Sequence, residues 1–145
     1  MYNSKDISIV QHMKEYCENI RSTINRFGNS YEVFLQDLDY RNSVSMSIMQ
    51  IGELTGNLSE DFKKQTGSEI PWRLIKGMRN HFAHGYAYME KKDIFETATQ
   101  DVPFLEQKFE HILQDYEISK SMEQGIEACE LDEPDFDEPE MEMDF

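Results

Sequence analysis

The sequence predicts an all-α fold, a bundle of four main helices with one short extra helix. Apolar residues recur at intervals of three and four along most of the chain, which is the spacing of one helix face. No stretch alternates apolar and polar residues for the length of a β-strand. The 145 residues, of which 39% are hydrophobic, suffice for one domain with one core.

The elements follow in order from these apolar stripes. The first helix is predicted over residues 10–27 and ends at Gly28, a common residue after a helix. A short segment, residues 31–38, precedes a second stripe over residues 44–62, which predicts one long helix. Residues 63–69 contain a glycine and predict a loop.

Two prolines mark the second half of the domain. Pro71 is expected in the first turn of the third helix, where the N–H that proline lacks would have no partner anyway. The fourth stripe covers residues 94–116, and Pro103 within it is expected to kink or divide the helix. Residues 1–118 are thus predicted to form the helical domain.

Residues 119–145 are predicted to form a disordered acidic tail. From Ser121 to the end there are 11 acidic residues and no basic ones, in a chain whose net charge is −15. This charge opposes compact burial. The simpler interpretation is a solubilising tail, and the alternative is a tail that docks into a basic groove.

Composition also excludes several classes of protein. No apolar stretch reaches the roughly 18 residues of a membrane span, and the first residues lack a signal-peptide pattern. Cys17 and Cys129 lack disulfide or metal-binding spacing, which fits a reducing compartment. We therefore expect a cytoplasmic protein with no membrane partner.

Positive charge is concentrated in residues 63–92, which hold seven basic and two acidic side chains. The flanking segments are acidic, so this segment alone can attract a polyanion. Within it, Arg79 offers a planar cation for phosphate oxygens, and His84 can exchange a proton near neutral pH. Asn80 can orient a neighbour, and Tyr86 supplies a hydroxyl. Three further residues are candidates for RNA binding: Arg73, Lys76 and His81.

On one straight helix Arg79 and His84 would lie about 140° apart, at roughly 100° per residue. Asn80 shares a face with His84, whereas Tyr86 shares a face with Arg79. Arg79 and His84 would converge only if the helix ended near Gly85 or if a second copy contributed. This geometry favours a site at a two-fold dimer interface.

Other chemistries find little support in the sequence. His81 and His84 could share a metal ion, but no nearby carboxylate or cysteine completes such a site. There is no nucleophile elbow and no glycine-rich phosphate loop, so the sequence predicts neither a metal nor an organic cofactor. An Arg/His pair alone is more often a surface ion-pairing group or a core histidine with its hydrogen bonds satisfied, and His12 and His111 are interpreted in that way.

The series Arg79-x4-His84-x-Tyr86 resembles the R-x4-H-x-Y signature of HepT-like proteins in the HEPN superfamily. The resemblance covers residues 6–116 and implies a HEPN-type up-and-down bundle. It includes an ordered series of further blocks: Ile51-Gly52-Glu53, Leu58-Ser59, Ile70-Pro71-Trp72, Ile75-x-Gly77-Met78-Arg79-Asn80 and Asp101-Val102-Pro103.

The resemblance implies the toxin of a type VII-like toxin–antitoxin system, a metal-independent endoribonuclease that acts as a homodimer or in a larger assembly with its antitoxin. His84 would then act as general acid or base on a ribose 2′-hydroxyl, Arg79 would stabilise the phosphorane, and Asn80 would orient one of them. An MntA-like minimal nucleotidyltransferase would be the antitoxin and would attach AMP to Tyr86.

The alternative is a non-catalytic subunit that binds a nucleotide or substrate for a separate nucleotidyltransferase. In that case Arg79 and His84 would hold phosphate without cleaving it. Cleavage of RNA in EDTA that depends on His84 would distinguish the two.

Overall fold

The computed structural model describes residues 2–85 and 89–131, with side chains through Gly125. These residues contain α-helices and no strand, so the predicted all-α fold is confirmed. The α-helices are α1 (Ser4–Phe27), α2 (Tyr31–Gln36), α3 (Leu38–Thr55), α4 (Glu60–Thr66), α5 (Trp72–Gly85), α6 (Lys91–Glu96) and α7 (Val102–Leu131). The four longest, α1, α3, α5 and α7, correspond to the four predicted main helices, with other bounds for the second and the fourth.

Helix α3 packs against both α1 and α5, and the core lies along these contacts. The buried residues come from the apolar stripes of the sequence, because each helix turns one face inward. Fully buried examples are Val10, Met13 and Ile20 of α1, and Val44 and Ile48 of α3. The N-terminal part of α7 joins this core through Phe109, whose ring stacks on Trp72 of α5 at 6.3 Å between centroids.

Helix α1 ends where the sequence predicts. Gly28 has a φ of 111°, a backbone conformation that residues with a side chain rarely adopt. The Gly28 carbonyl accepts a hydrogen bond of 2.9 Å from the Tyr40 hydroxyl at the start of α3. The turn after α1 is therefore tied directly to the next main helix.

The prediction of one helix over residues 44–62 is wrong, because the chain turns at residues 56–58. Backbone hydrogen bonds that span three residues tighten the end of α3 there. Ser59 then begins α4 by accepting a hydrogen bond from the Phe62 N–H at 3.1 Å. The N–H and hydroxyl of Ser59 donate to the buried carboxylate of Asp6, at 2.9 and 2.7 Å.

The predicted loop over residues 63–69 is also partly wrong, because α4 continues to Thr66. Lys63 and Lys64 occupy the last turn of α4, where positive charge stabilises the helix dipole. The Thr66 hydroxyl accepts a hydrogen bond of 2.8 Å from the Trp72 indole, which fixes the start of α5 beside the end of α4.

The fourth predicted stripe is divided, as the proline within it predicts. Helix α6 is followed by a π-helical turn, Thr97–Asp101, and Pro103 lies in the first turn of α7. The ring of Phe95 in α6 lies 5.2 Å from that of Phe34 in α2, between centroids. Helix α6 is therefore held against α2.

Helix α7 extends to Leu131, so the predicted domain boundary after residue 118 falls inside a helix. Residues 1–113 form one compact unit, and a second unit begins at Gln114. The first part of the segment predicted as a tail is helical, because α7 continues through residues 119–131. Residues 132–145 lie outside the described residues. No helix within the described ranges is long and apolar enough to span a membrane.

Candidate active site

Helix α5 carries all the candidate residues that the structure describes. Its buried side chains, Trp72, Ile75 and Phe82, face the core and fix the rotation of the helix. The polar candidates therefore lie on its remaining surface: Arg73, Lys76, Arg79, Asn80, His81 and His84. Tyr86, the predicted AMP acceptor, lies outside the described residues.

Arg79 is held by two carboxylate oxygens and one amide. Its Nε donates to Glu53 Oε2 at 2.8 Å and its Nη2 to Glu53 Oε1 at 3.3 Å, so the two planar groups meet as a fork. Its Nη1 donates to Asn80 Oδ1 at 3.0 Å. The guanidinium is thus oriented by α3 on one side and by its own helix on the other.

This pairing lowers the pKa of Glu53, chiefly through the hydrogen bond from Arg79, and raises the pKa of Arg79. A carboxylate whose pKa falls on folding contributes stability above its ordinary pKa and loses that contribution as the pH falls through the lowered value. The Glu53–Arg79 pair is therefore charged on both sides at neutral pH.

The backbones of α3 and α5 approach closely where Gly52 faces Arg79. A Cβ atom at position 52 would lie 2.4 Å from the Arg79 Cβ and 3.2 Å from its Cα. Neither atom can move away by rotation about a side-chain bond, because the backbone fixes both positions. Only glycine at position 52 lets the two helices bring Arg79 into reach of Glu53.

Replacing Gly52 with alanine is expected to lower the free energy of unfolding by about 1–3 kcal/mol, because the added methyl group overpacks the α3–α5 contact. Urea denaturation measures this change. Gly77→Ala in α5 is the control, since a Cβ there meets no heavy atom of the described residues within 4 Å. Equal stability of the two variants would contradict the close approach.

Arg79 lines a groove of about 590 Å³ between α5 and the α3–α4 turn, which we call the cationic groove. Arg73 and Lys76 line the same groove from α5, and Lys63 lines it from α4. The full lining is Gly52, Glu53, Thr55, Gly56, Asn57, Glu60, Lys63, Trp72, Arg73, Lys76 and Arg79. Four of the seven basic residues of segment 63–92 thus line the same groove.

His84 lines a different groove of about 370 Å³, which we call the histidine groove. Its lining is Gly77, Asn80, His81, His84, Gly85 and Met89. His81 and His84 are both exposed there. Asn80 belongs to this groove and also accepts the hydrogen bond from Arg79, so it links the two grooves.

The structure therefore brings Arg79 together with Asn80, and Asn80 together with His84, within one chain. Within the part of the chain that the structure describes, Arg79 and His84 line different grooves, in agreement with their predicted separation around the helix. Sequence reasoning missed the part played by Gly52 and Glu53. The signal available was their place in the block Ile51-Gly52-Glu53.

Residues outside the two grooves are engaged elsewhere. His12 lies 3.5 Å from Glu15 and His111 lies 3.9 Å from Glu69, which agrees with their interpretation as surface groups. Burial raises the pKa of the Cys17 thiol to about 12, so this thiol is not a nucleophile near neutral pH. The described residues contain no cluster of three or more His, Cys, Asp or Glu side chains able to hold a metal ion.

Comparison with known proteins identifies the family. The model of the HepT-like ribonucleases matches residues 13–112, which are more than half of the chain and include the described lining of both grooves. The chain belongs to the HepT-like ribonuclease family. The R-x4-H-x-Y series of this HepT-like protein therefore lies within the matched region.

Curated relatives share this HepT-like region at low identity. A protein of Caldanaerobacter subterraneus subsp. tengcongensis, provisionally named an RNase, is 31% identical over 105 residues, covering 72% of this chain and 91% of the relative. The probable ribonuclease HepT of Thermococcus cleftensis is 32% identical over 104 residues, covering 68% of this chain and 94% of the relative. A third protein, from Methanocaldococcus jannaschii, is also provisionally named an RNase. It is 29% identical over 104 residues, covering 71% of this chain and 83% of the relative. No solved structure gives a significant match.

Proposed function

We propose that this protein is a toxin that cleaves RNA without a metal ion, with Arg79, Asn80 and His84 as its catalytic residues. The observation that carries the proposal is the site on α5 within a ribonuclease family: an oriented guanidinium, an amide bound to it, and an exposed imidazole one turn further along. RNA supplies its own nucleophile, the ribose 2′-hydroxyl, so the reaction needs no metal-activated water.

His84 acts as the general base in the first step. Its imidazole takes the proton of the 2′-hydroxyl while the 2′-oxygen forms a bond to the adjacent phosphorus. The bond from phosphorus to the 5′-oxygen breaks, and that oxygen leaves with a proton from a second His84, which the other copy in a dimer supplies. The products are a 2′,3′-cyclic phosphate and a 5′-hydroxyl.

Arg79 stabilises the negative charge that builds on the phosphorane oxygens, since its cation is already oriented before substrate binds. Glu53 fixes the plane of the guanidinium from one edge, and Asn80 fixes Nη1. Asn80 in turn lies in the groove of His84, so it sets the base relative to the cation. His81 lines the same groove and contacts the RNA beside the scissile bond.

A homodimer completes this site. One imidazole cannot serve as base and acid on opposite sides of a phosphorus in the same step, whereas two copies of α5 supply two. The outer face of α5 supports such an interface, because Leu74 is 71% exposed and Met78 follows it one turn later. Because cleavage then needs both imidazoles, a mixed dimer of one native chain and one His84→Ala chain should lose cleavage as the His84→Ala homodimer does. A monomer in sedimentation with full activity would overturn the dimer.

The test of the function is cleavage of RNA by the purified protein in EDTA, with a 2′,3′-cyclic phosphate at the new end. The result that overturns it is RNA bound but left intact. The Glu53 carboxylate already engages two donors of Arg79, and His84 lies in another groove, so intact RNA would favour the non-catalytic binding subunit.

Regulation by a nucleotidyltransferase antitoxin of the MntA-like kind is the second part of the proposal. Tyr86 follows His84 by two residues, so AMP on its hydroxyl adds a negative charge and a bulky adenosine beside the site. Tyr86→Phe is expected to stay toxic when coexpressed with the antitoxin, while the native chain is neutralised. Mass spectrometry checks for the adduct, and AMP on another residue would contradict the assignment.

A further inference from the structure

We infer that the cationic groove binds the RNA strand beside the scissile phosphate, with Arg73 and Lys76 as its phosphate contacts. This inference rests on the proposed function and extends it from the reacting bond to the neighbouring nucleotides. It assigns the groove a phosphodiester backbone, recognised by charge rather than by base sequence.

The charges that line the groove fall into two classes. Lys63 lies 3.4 Å from Glu60, and Arg79 is paired with Glu53, so these two cations are balanced within the chain. Arg73 and Lys76 are exposed, and neither forms an ion pair with any part of the chain that the structure describes. The groove therefore keeps a surplus of two positive charges on the α5 wall.

These two cations form a line that leads to the catalytic guanidinium. Arg73, Lys76 and Arg79 are spaced by three residues, so they rise along α5 over about 9 Å. A strand whose scissile phosphate lies at Arg79 must leave the site in some direction. The cationic groove offers a path along which its next phosphates meet unbalanced positive charge.

The opposite wall leaves room for such a strand. It is made by the end of α3 and the start of α4, where Gly52 and Gly56 contribute no side chain. Asn57 is exposed there and can donate to a sugar or phosphate oxygen. Glu60 is also exposed, at 83% of its side chain, so its charge repels the same backbone unless it stays paired with Lys63.

The experiment compares two double variants of equal charge. Arg73→Gln with Lys76→Gln removes the surplus cations of the groove, and Lys91→Gln with Lys92→Gln removes two exposed lysines of α6 that do not line it. The probe is a single-stranded 2′-O-methyl RNA, which cannot be cleaved because its nucleophile is blocked. Its affinity is measured over a range of salt concentrations.

Each phosphate contact to a single strand contributes about 0.7 to the slope of log affinity against log salt. The groove variant is therefore expected to lose roughly 1.4 of that slope, and the α6 variant to keep the slope of the native protein. Equal slopes for the two double variants would overturn the inference.

A variant that makes the groove more positive provides a second test. Its expected result is tighter RNA binding, which loss of folding could not produce. Glu60→Gln releases Lys63 and is expected to tighten RNA binding and steepen the slope. Its control is Glu32→Gln, which removes an exposed acid from the first turn of another short helix, α2. Unchanged binding in Glu60→Gln would count against the groove.

Failure of this inference and failure of the proposed function give different results. If the native protein cleaves RNA while the groove and α6 variants behave alike, the function stands and the groove assignment is wrong. If the native protein binds the probe through the groove but leaves ordinary RNA intact, the groove stands and the nuclease assignment is wrong.

Discussion

Replacing His84 with alanine is expected to lower the rate of RNA cleavage by about 10²–10⁴-fold, which is the usual contribution of a general acid or base. The imidazole is exposed in the histidine groove, so its removal sacrifices little packing. The variant should therefore keep its thermal unfolding temperature and its affinity for uncleavable RNA. Single-turnover cleavage at saturating protein measures the chemical step separately from binding.

His12→Ala is the matched control for this prediction. His12 is an exposed histidine of α1, paired with Glu15 at 3.5 Å and distant in sequence from α5. Its loss should leave the cleavage rate as it is. A His84 variant that cleaves as fast as the His12 variant would refute the role of His84.

Arg79→Lys is expected to lower cleavage by about 10²–10³-fold, the range seen when one donor to a developing oxyanion is lost. Lysine keeps the charge, but its ammonium cannot bridge both oxygens of Glu53 and also reach Asn80. The positive charge would then remain, but Glu53 and Asn80 would no longer hold it in position for the phosphate. We expect the loss in the rate of single-turnover cleavage rather than in RNA affinity.

The chain contains a close structural match for this substitution. Arg21 of α1 donates through Nε and Nη2 to the two oxygens of Glu106, at 3.3 and 2.6 Å, so it forms the same kind of exposed fork. Arg21→Lys measures what the loss of such a fork costs the fold. If both variants lost stability alike and neither lost cleavage, Arg79 would be an ordinary surface ion pair.

Much of the fold could be predicted because it depends on local pattern. The apolar stripe along α1 and the stop at Gly28 depend on neighbouring residues and hold in the structure. The break after α3 was not predicted, although Gly56 and Ser59 are residue types that favour a helix end and a helix start. Its stripe continues in sequence through residues 56–58, and the new helix is fixed by Asp6, which lies 53 residues from Ser59.

The candidate site likewise has one part that local sequence predicts and one part that it does not. The side chains on α5 follow from one helix, so the separation of Arg79 and His84 could be predicted from their spacing. The partner of Arg79 is Glu53, 26 residues earlier, and their contact depends on how closely two helix backbones approach. No local pattern encodes that distance, and the missing Cβ of Gly52 allows it.

The π-helical turn at Thr97–Asp101 sets the helical phase of α6 relative to α7. Such a turn accommodates one extra residue in a helix, and a single residue corresponds to about 100° of rotation. Without that residue, a continuous helix would turn Ile94 and Phe95 away from the interior and from α2. One extra residue in this turn thus decides which side chains of α6 face the core.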